Sequence, residues 1–216
     1  VYDRVGRRQD VQGWYEGPAV DLLVRHGRFA AARAVVEVGA GTGRLAARLL
    51  RDALPPWAAY RATDLSPVMV GIARQRLAPF GARATASLTD GAPPDGPPGS
   101  ADRFVAAYVL DTLSEPAARG MLAAAHRLLR PGGLVCLASL GEGVGPLSRA
   151  VAAGWRAAYR VRPEWLGGCR PVSVRPLLDA GRWAVRFHAR PAPYAVPSDV
   201  VVAEALGPER GRGAGG

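Results

Sequence analysis

The sequence predicts an α/β fold: a doubly wound, mostly parallel sheet with helices on both faces and an antiparallel strand at one edge. Three observations predict it. Short β-rich apolar runs alternate with stretches in which Leu and Ala recur at helical spacing. A glycine-rich turn, GAGTG at 39–43, stands between the first such run and the first helical stretch. Two further β-rich runs follow the last alternation, the place where an antiparallel edge strand completes such sheets.

The first strand is AVVEVGA at 34–40, and GRLAARLLRDAL at 43–54 follows as a helix that Pro55 and Pro56 end. YRATDL at 60–65 is the second strand. SPVMVGIARQRLA at 66–78 is its helix, with Ser66 as N-cap and Pro67 at the first helical position. A third strand lies in ARATASLTD at 82–90, and the Pro/Gly-rich GAPPDGPPGSAD at 91–102 is a surface loop. RFVAAYVLDTL at 103–113 is a buried strand running into its loop, SEPAARGMLAAAHRLL at 114–129 a helix, and PGGLVCLASL at 131–140 a turn plus fifth strand. Beyond these come an amphipathic helix at 145–161, a loop with a short helix at 163–181, and strands at 182–190 and 198–206. The chain reads as a single domain over 1–206: an N-terminal helical cap at 1–33, a core at 34–140 and a substrate-side, sheet-completing part at 141–206. Residues 207–216 read as a disordered tail.

Composition excludes several functions. The formal charge is +10, and all 28 basic residues are arginine. Without lysine there is no P-loop of the kind that holds ATP or GTP. The arginines are scattered rather than gathered into a stripe interleaved with aromatics, so a nucleic-acid partner is not expected. Cys136 and Cys169 form no C-x-x-C pair, and with three separated histidines a metal site has no support. No apolar run is long enough to span a membrane, and a reducing cytoplasm is the expected location.

The chemistry concentrates in Glu37–Val38–Gly39–Ala40–Gly41–Thr42–Gly43. Glycines between a strand and a helix let the backbone turn sharply and bring a ligand against main-chain N–H groups. The dinucleotide fingerprint wants glycine at its sixth position, where this chain has Arg44. Asp64 closes the second strand, where a carboxylate can accept both hydroxyls of a ribose. The competing reading of the glycines is a tight turn, and of Asp64 a charge at a helix start.

VVEVGAGTGRLAARLL, YRATDLSPVMVGIARQRL, DRFVAAYVLDTLSE and RLLRPGGLVCLASL, in this order and spacing, resemble the class I S-adenosylmethionine-dependent methyltransferases, and among them the ubiquinone/menaquinone-biosynthesis-like group. The resemblance covers residues 34–140 and implies a Rossmann-like, seven-stranded sheet with S-adenosyl-L-methionine as cofactor and S-adenosyl-L-homocysteine as product. It implies that Glu37, Gly39, Ala40, Gly41, Thr42 and Gly43 wrap the methionine part and that Asp64 holds the ribose. It places Leu65 and Met69 against adenine, Asp90 at the adenine amino group, and Ala107 and Tyr108 beside the sulfonium. At Ala107 the family often has a polar side chain, and Tyr108 is bulkier than usual, so a pocket wall is an alternative role for it.

Methyl transfer needs chiefly alignment, and a general base only where the acceptor must lose a proton. Asp111, His126, Glu142 and His188 are the candidates, and Asp111, at the mouth of the fourth strand, is best placed. Tyr2, Trp14 and Tyr15 fall where relatives fold a lid over the cofactor; Trp155, Tyr159 and Arg170 are candidates for the acceptor pocket, Arg170 meeting an anionic or carbonyl-bearing acceptor. The function expected is transfer of a methyl group to a small aromatic, quinone-like or secondary-metabolite acceptor. Its rivals are an RNA or protein methyltransferase and a non-catalytic cofactor-binding subunit. Oligomeric state is not legible.

Overall fold

Strand β1 (Ala34–Val38) is buried on both faces and sits mid-sheet, the pattern of a strand covered on two sides. The structure, a computed structural model, describes residues 13–162 and 168–207. Around β1 run β2 (Ala59–Asp64), β3 (Ala84–Leu88), β4 (Ala101–Ala107), β5 (Leu129–Leu140), β6 (Trp183–Ala189) and β7 (Ser198–Ala205), in the order β3-β2-β1-β4-β5-β7-β6. The first five are parallel, and β7 is antiparallel to both β5 and β6. β7 alone therefore runs against the other six strands, one place in from the β6 edge.

The strand order reverses between β1 and β4, which opens a crevice at their carboxyl ends. Burial follows position. β4 and β7 are almost wholly buried, while β3 at one edge leaves Leu88 exposed.

Among the described residues, five helices cover the sheet: α1 (Gly13–His26), α2 (Arg44–Asp52), α3 (Pro67–Leu77), α4 (Glu115–Leu128) and α5 (Pro146–Val161). Ala19 and Leu23 of α1, Leu49 and Leu50 of α2 and Leu77 of α3 pack with Val35, Tyr60, Val105 and Cys136 on one face. Met121, Leu122 and Ala125 of α4 pack with Val36, Phe104, Val135 and Leu137 on the other. Successive strand residues feed opposite cores, as the two-residue period requires.

Ser66 caps α3 as its sequence predicts: its Oγ accepts from the Met69 N–H at 3.3 Å, and Pro67 follows at the first helical position. The short helix expected in 163–181 is, among the described residues, a single 3-10 turn (Arg175–Leu177) that Pro176 opens. One local expectation is corrected. The fifth strand begins at Leu129, before the expected Pro131-Gly132-Gly133 turn, which is absorbed as an irregularity between the Ala101 and Arg103 pairings.

At the amino ends of the strands, Asp102 Oδ2 accepts from the Arg33 and Ala34 N–H groups at 2.7 and 2.9 Å, and Oδ1 pairs with Arg130. Burial acts to raise its pKa, but the two amides and Arg130 win and hold it below the usual carboxylate range. Next to it, the buried Arg103 guanidinium donates to the carbonyls of Gly27, Arg28 and Asp102, clamping the end of α1 to the sheet.

Candidate functional site

A cleft of about 1580 Å³ opens over the carboxyl ends of β1, β2 and β4. Its floor is the turn leaving β1. Gly39, Gly41 and Gly43 all have positive φ, at 63°, 53° and 72°, which favours glycine at each. Their surroundings differ. A Cβ on Gly39 would collide with Val109 Cγ2, and one on Gly43 would press on Ala73 of α3, whereas one on Gly41 would meet no atom of the described residues within 4 Å. Packing thus accounts for Gly39 and Gly43; the open space over Gly41 is room for a ligand to meet the main chain. No side chain caps α2 behind this turn.

Asp64 is tied to the same turn. Its Oδ2 accepts from the Gly41 N–H at 2.7 Å and its Oδ1 from the Ser66 N–H at 2.9 Å. Each oxygen keeps a second lone pair, so the carboxylate is oriented by the backbone with acceptor capacity to spare. Glu37 lies buried beneath, accepting from the Tyr60 hydroxyl at 2.9 Å. Burial pushes its pKa up to about 7, against the Tyr60 hydrogen bond and with a small addition from Asp64.

Ala40, Thr42, Leu65, Met69, Asp90 and Ala107 also line the cleft. Leu65 is exposed and Met69 buried, giving one side an apolar wall. Asp90 Oδ1 accepts from the Ala92 N–H at 2.9 Å in a turn at the rim. Tyr108 has φ 57°, rare for an aromatic residue, and its hydroxyl lies 2.8 Å from Ser198 Oγ of β7. It is a wall residue anchored at both ends, and burial pushes its phenol above the ordinary range.

At the far end, Asp111 is 1% exposed. Its Oδ2 accepts from the Leu140 N–H at 3.1 Å, while Oδ1 is buried without a hydrogen-bond partner. Burial pushes its pKa up to about 7; the Leu140 amide and its own backbone amide oppose this, Glu16 adds to it, and Arg170 opposes it least. Trp155 lines this end too, its indole N–H donating to the Cys169 carbonyl at 3.1 Å.

Several expected pocket residues stand elsewhere. Arg170 does not line the cleft: its guanidinium donates to the Leu113 carbonyl at 2.7 Å and its N–H to the Asp111 carbonyl at 2.9 Å, so it braces the turn that carries Asp111. Tyr159, four residues and about 6 Å beyond Trp155 along α5, lies outside the lining. His126 bonds the Leu206 carbonyl and meets Trp183 edge-on; Glu142 joins Arg156 and Ser173; His188 pairs with Asp199 at 2.7 Å. None of these three lines the cleft. Tyr2 and the side chains of Trp14 and Tyr15 lie outside the described residues. Sequence reasoning missed Glu16 and Val20 of α1, Met121, and Leu140 as lining residues, and Ser198 as the anchor of Tyr108. Only Glu16, acidic in the first turn of a helix, carried a local signal.

Among the described residues, no group of three or more His, Cys, Asp or Glu could hold a metal ion, and no helix is long and apolar enough to cross a membrane.

The sheet order, with the glycine turn followed by Asp64 at the end of β2, is that of the Rossmann-like methyltransferase fold. Residues 35–133 match the methyltransferase-domain family. No curated protein matches the sequence. Among solved structures, the complex between the Haloferax volcanii Trm112 methyltransferase activator and a methyltransferase is similar at a TM-score of 0.74 and 16% identity, covering 96% of each chain. Magnesium protoporphyrin IX methyltransferase from Synechocystis, with bound S-adenosylhomocysteine, has a TM-score of 0.64 and 19% identity over 94% of this chain and 84% of its own. The [4+2]-cyclase SpnF has a TM-score of 0.65 and 18% identity over 88% of this chain and 81% of its own. At these identities the likeness is one of fold. It does not extend to a subtype, and the ubiquinone-like resemblance stays a likeness of motifs.

Proposed function

We propose that this protein is an active enzyme that transfers the methyl group of S-adenosylmethionine to a small-molecule acceptor, aromatic, quinone-like or a secondary metabolite. The observation that carries the reading is the uneven lining of one continuous cleft. The part over β1 and β2 is polar: Glu37, Thr42, Asp64, Ser66 and Asp90 line it around the open backbone at Gly41. Beyond Ala107 and Tyr108 the lining is mostly apolar, with Val109, Leu113, Met121, Leu140 and Trp155. A nucleoside sugar fits the first and a compact, largely apolar acceptor the second.

In this reading Glu37 and the turn through Gly43 wrap the methionine part, Asp64 takes the ribose hydroxyls, Leu65 and Met69 flank adenine, and Asp90 accepts from its amino group. When bound, the cofactor supplies an electrophilic methyl group. The chain supplies alignment across the Ala107–Tyr108 boundary and exclusion of water by the apolar wall. The α1 segment, through Glu16, Gly17 and Val20, acts as the inner face of a cap, within a single domain over 1–206. Two observations support a small acceptor. The magnesium protoporphyrin IX enzyme of the same fold takes a small molecule, and arginines at the cleft rim are engaged within the chain: Arg48 with Asp21, Arg51 with Asp52, Arg76 with Thr42.

Calorimetry with S-adenosylmethionine and S-adenosylhomocysteine tests the site. Both bind to the wild type, and Asp64→Ala weakens binding on the order of tenfold or more, as expected when hydrogen bonds to an ionised acceptor are lost. Absence of binding in the wild type, or indifference to Asp64→Ala, overturns the reading.

A further inference from the structure

Two buried side-chain oxygens have no hydrogen-bond partner among the described residues, Asp111 Oδ1 and Ser139 Oγ. Ser139 is fully buried within β5 and lines no part of the cleft; Asp111 lines it. An unpaired buried acceptor costs stability, so a chain that keeps one beside a ligand cleft has left that oxygen for the ligand.

The rest of Asp111 is fixed. Its Oδ2 accepts from Leu140 at the end of β5, and its own carbonyl accepts from the Arg170 N–H. Arg170 in turn braces the Leu113 carbonyl, so the turn carrying the carboxyl is held from two sides. One oxygen is thereby aimed by the backbone and the other left to receive a donor. Its neighbours in the cleft, Val109, Leu113, Met121, Leu140 and Trp155, suit a flat apolar body.

Resting on the methyltransferase reading, we propose that Asp111 Oδ1 receives the hydroxyl of a phenol-type acceptor and takes its proton during transfer. The hydroxyl oxygen gains the methyl carbon as the carbon–sulfur bond breaks with its electron pair on sulfur, and the hydroxyl proton passes to Oδ1. One O–H and one C–S bond are lost; one C–O bond and one carboxylic O–H bond are gained. Asp111 must be ionised to do this. Among the described residues, the charged and titratable groups that act on it are Glu16 on α1, Tyr108 just after β4 and Arg170 on the bracing segment. With burial placing its pKa near 7, acceptance of the hydroxyl strengthens as pH rises through that value.

The test uses the protein saturated with S-adenosylhomocysteine and two probes of similar shape, p-cresol and p-methylanisole, the second lacking the hydroxyl proton. At mildly alkaline pH the wild type binds p-cresol more tightly, on the order of tenfold, and the preference shrinks below neutrality. Asp111→Asn keeps an oxygen for the Leu140 N–H and turns the free acceptor into a donor, so its preference reverses toward p-methylanisole. A second readout needs no variant. In protein carrying isotope-labelled aspartate, the carboxyl signal titrating near neutrality moves to lower pKa with p-cresol and not with p-methylanisole. Equal affinities, no binding of either probe in the millimolar range, an unchanged preference in Asp111→Asn, or an aspartate titration indifferent to p-cresol overturns the proposal. Failure of S-adenosylhomocysteine itself to bind overturns instead the reading on which it rests.

Discussion

At the amino ends of β1 and β4, Asp102 spends one oxygen on two backbone amides and the other on Arg130, and Arg103 spends its guanidinium on three carbonyls. At the carboxyl ends of the same strands, Asp111 keeps a buried oxygen unpaired, and burial pushes both Glu37 and Asp111 up to about 7. Both rims bury carboxyls. One rim satisfies them internally and gains rigidity; the other leaves Asp111 Oδ1 without a partner among the described residues, a cost that a ligand can recover. The contrast assigns stability to one end of the sheet and binding to the other without reference to any relative.

The strongest way to break the contrast is at the saturated rim. Asp102→Ala strands two N–H groups and Arg130, and urea unfolding should show a loss of about 3 kcal/mol while the folded protein binds S-adenosylhomocysteine as before. Because the folded pKa of Asp102 is depressed, the stability it confers is present at neutral pH and lost as pH falls through the acidic range.

Glu37 has the opposite sign. Its folded pKa is raised from 4.5 to about 7, so between those values the folded chain holds a proton that the unfolded chain has released. Stability therefore falls as pH rises across that window and levels off above it. Glu37→Gln, whose amide oxygen still accepts from Tyr60, should flatten the slope and, above neutrality, stabilise the protein by about 2 kcal/mol, measured by thermal unfolding across pH. Asp111, shifted in the same direction, leaves a residual slope of the same sign.

The smallest effect concerns the two thiols. Burial pushes Cys136, in the core, up to about 12, while Cys169 is half-buried at the cleft. Iodoacetamide should label Cys169 in the native protein and Cys136 only after unfolding, as mass spectrometry of the digested chain would show. Equal labelling would mean that the core around β5 opens as readily as the cleft.

Much of this was legible in the sequence where the cause is local. The glycine turn, the Ser66 cap and the alternation of strands with helices announce themselves within a few residues, and Asp64 falls at the predicted strand end. Residues whose roles depend on distant partners did not. Arg170 reads as a cleft residue until the fold sets it beside Leu113, 57 positions away, and Tyr108 shows no sign of Ser198, 90 positions on. The Asp102–Arg130 clamp and the left-handed backbone at Tyr108 are likewise products of assembly, invisible to periodicity.

The place of β7 has a consequence for synthesis. Although it is the last strand in chain order, β7 lies inside the sheet, between β5 and β6. As the chain leaves the ribosome, the first five strands can assemble, but the flank of β5, with Val135, Leu137 and their open backbone groups, stays uncovered until residues 198–205 emerge. Until then a nascent chain carries an apolar strand edge ready to pair with any other, and chaperone demand should peak in that interval.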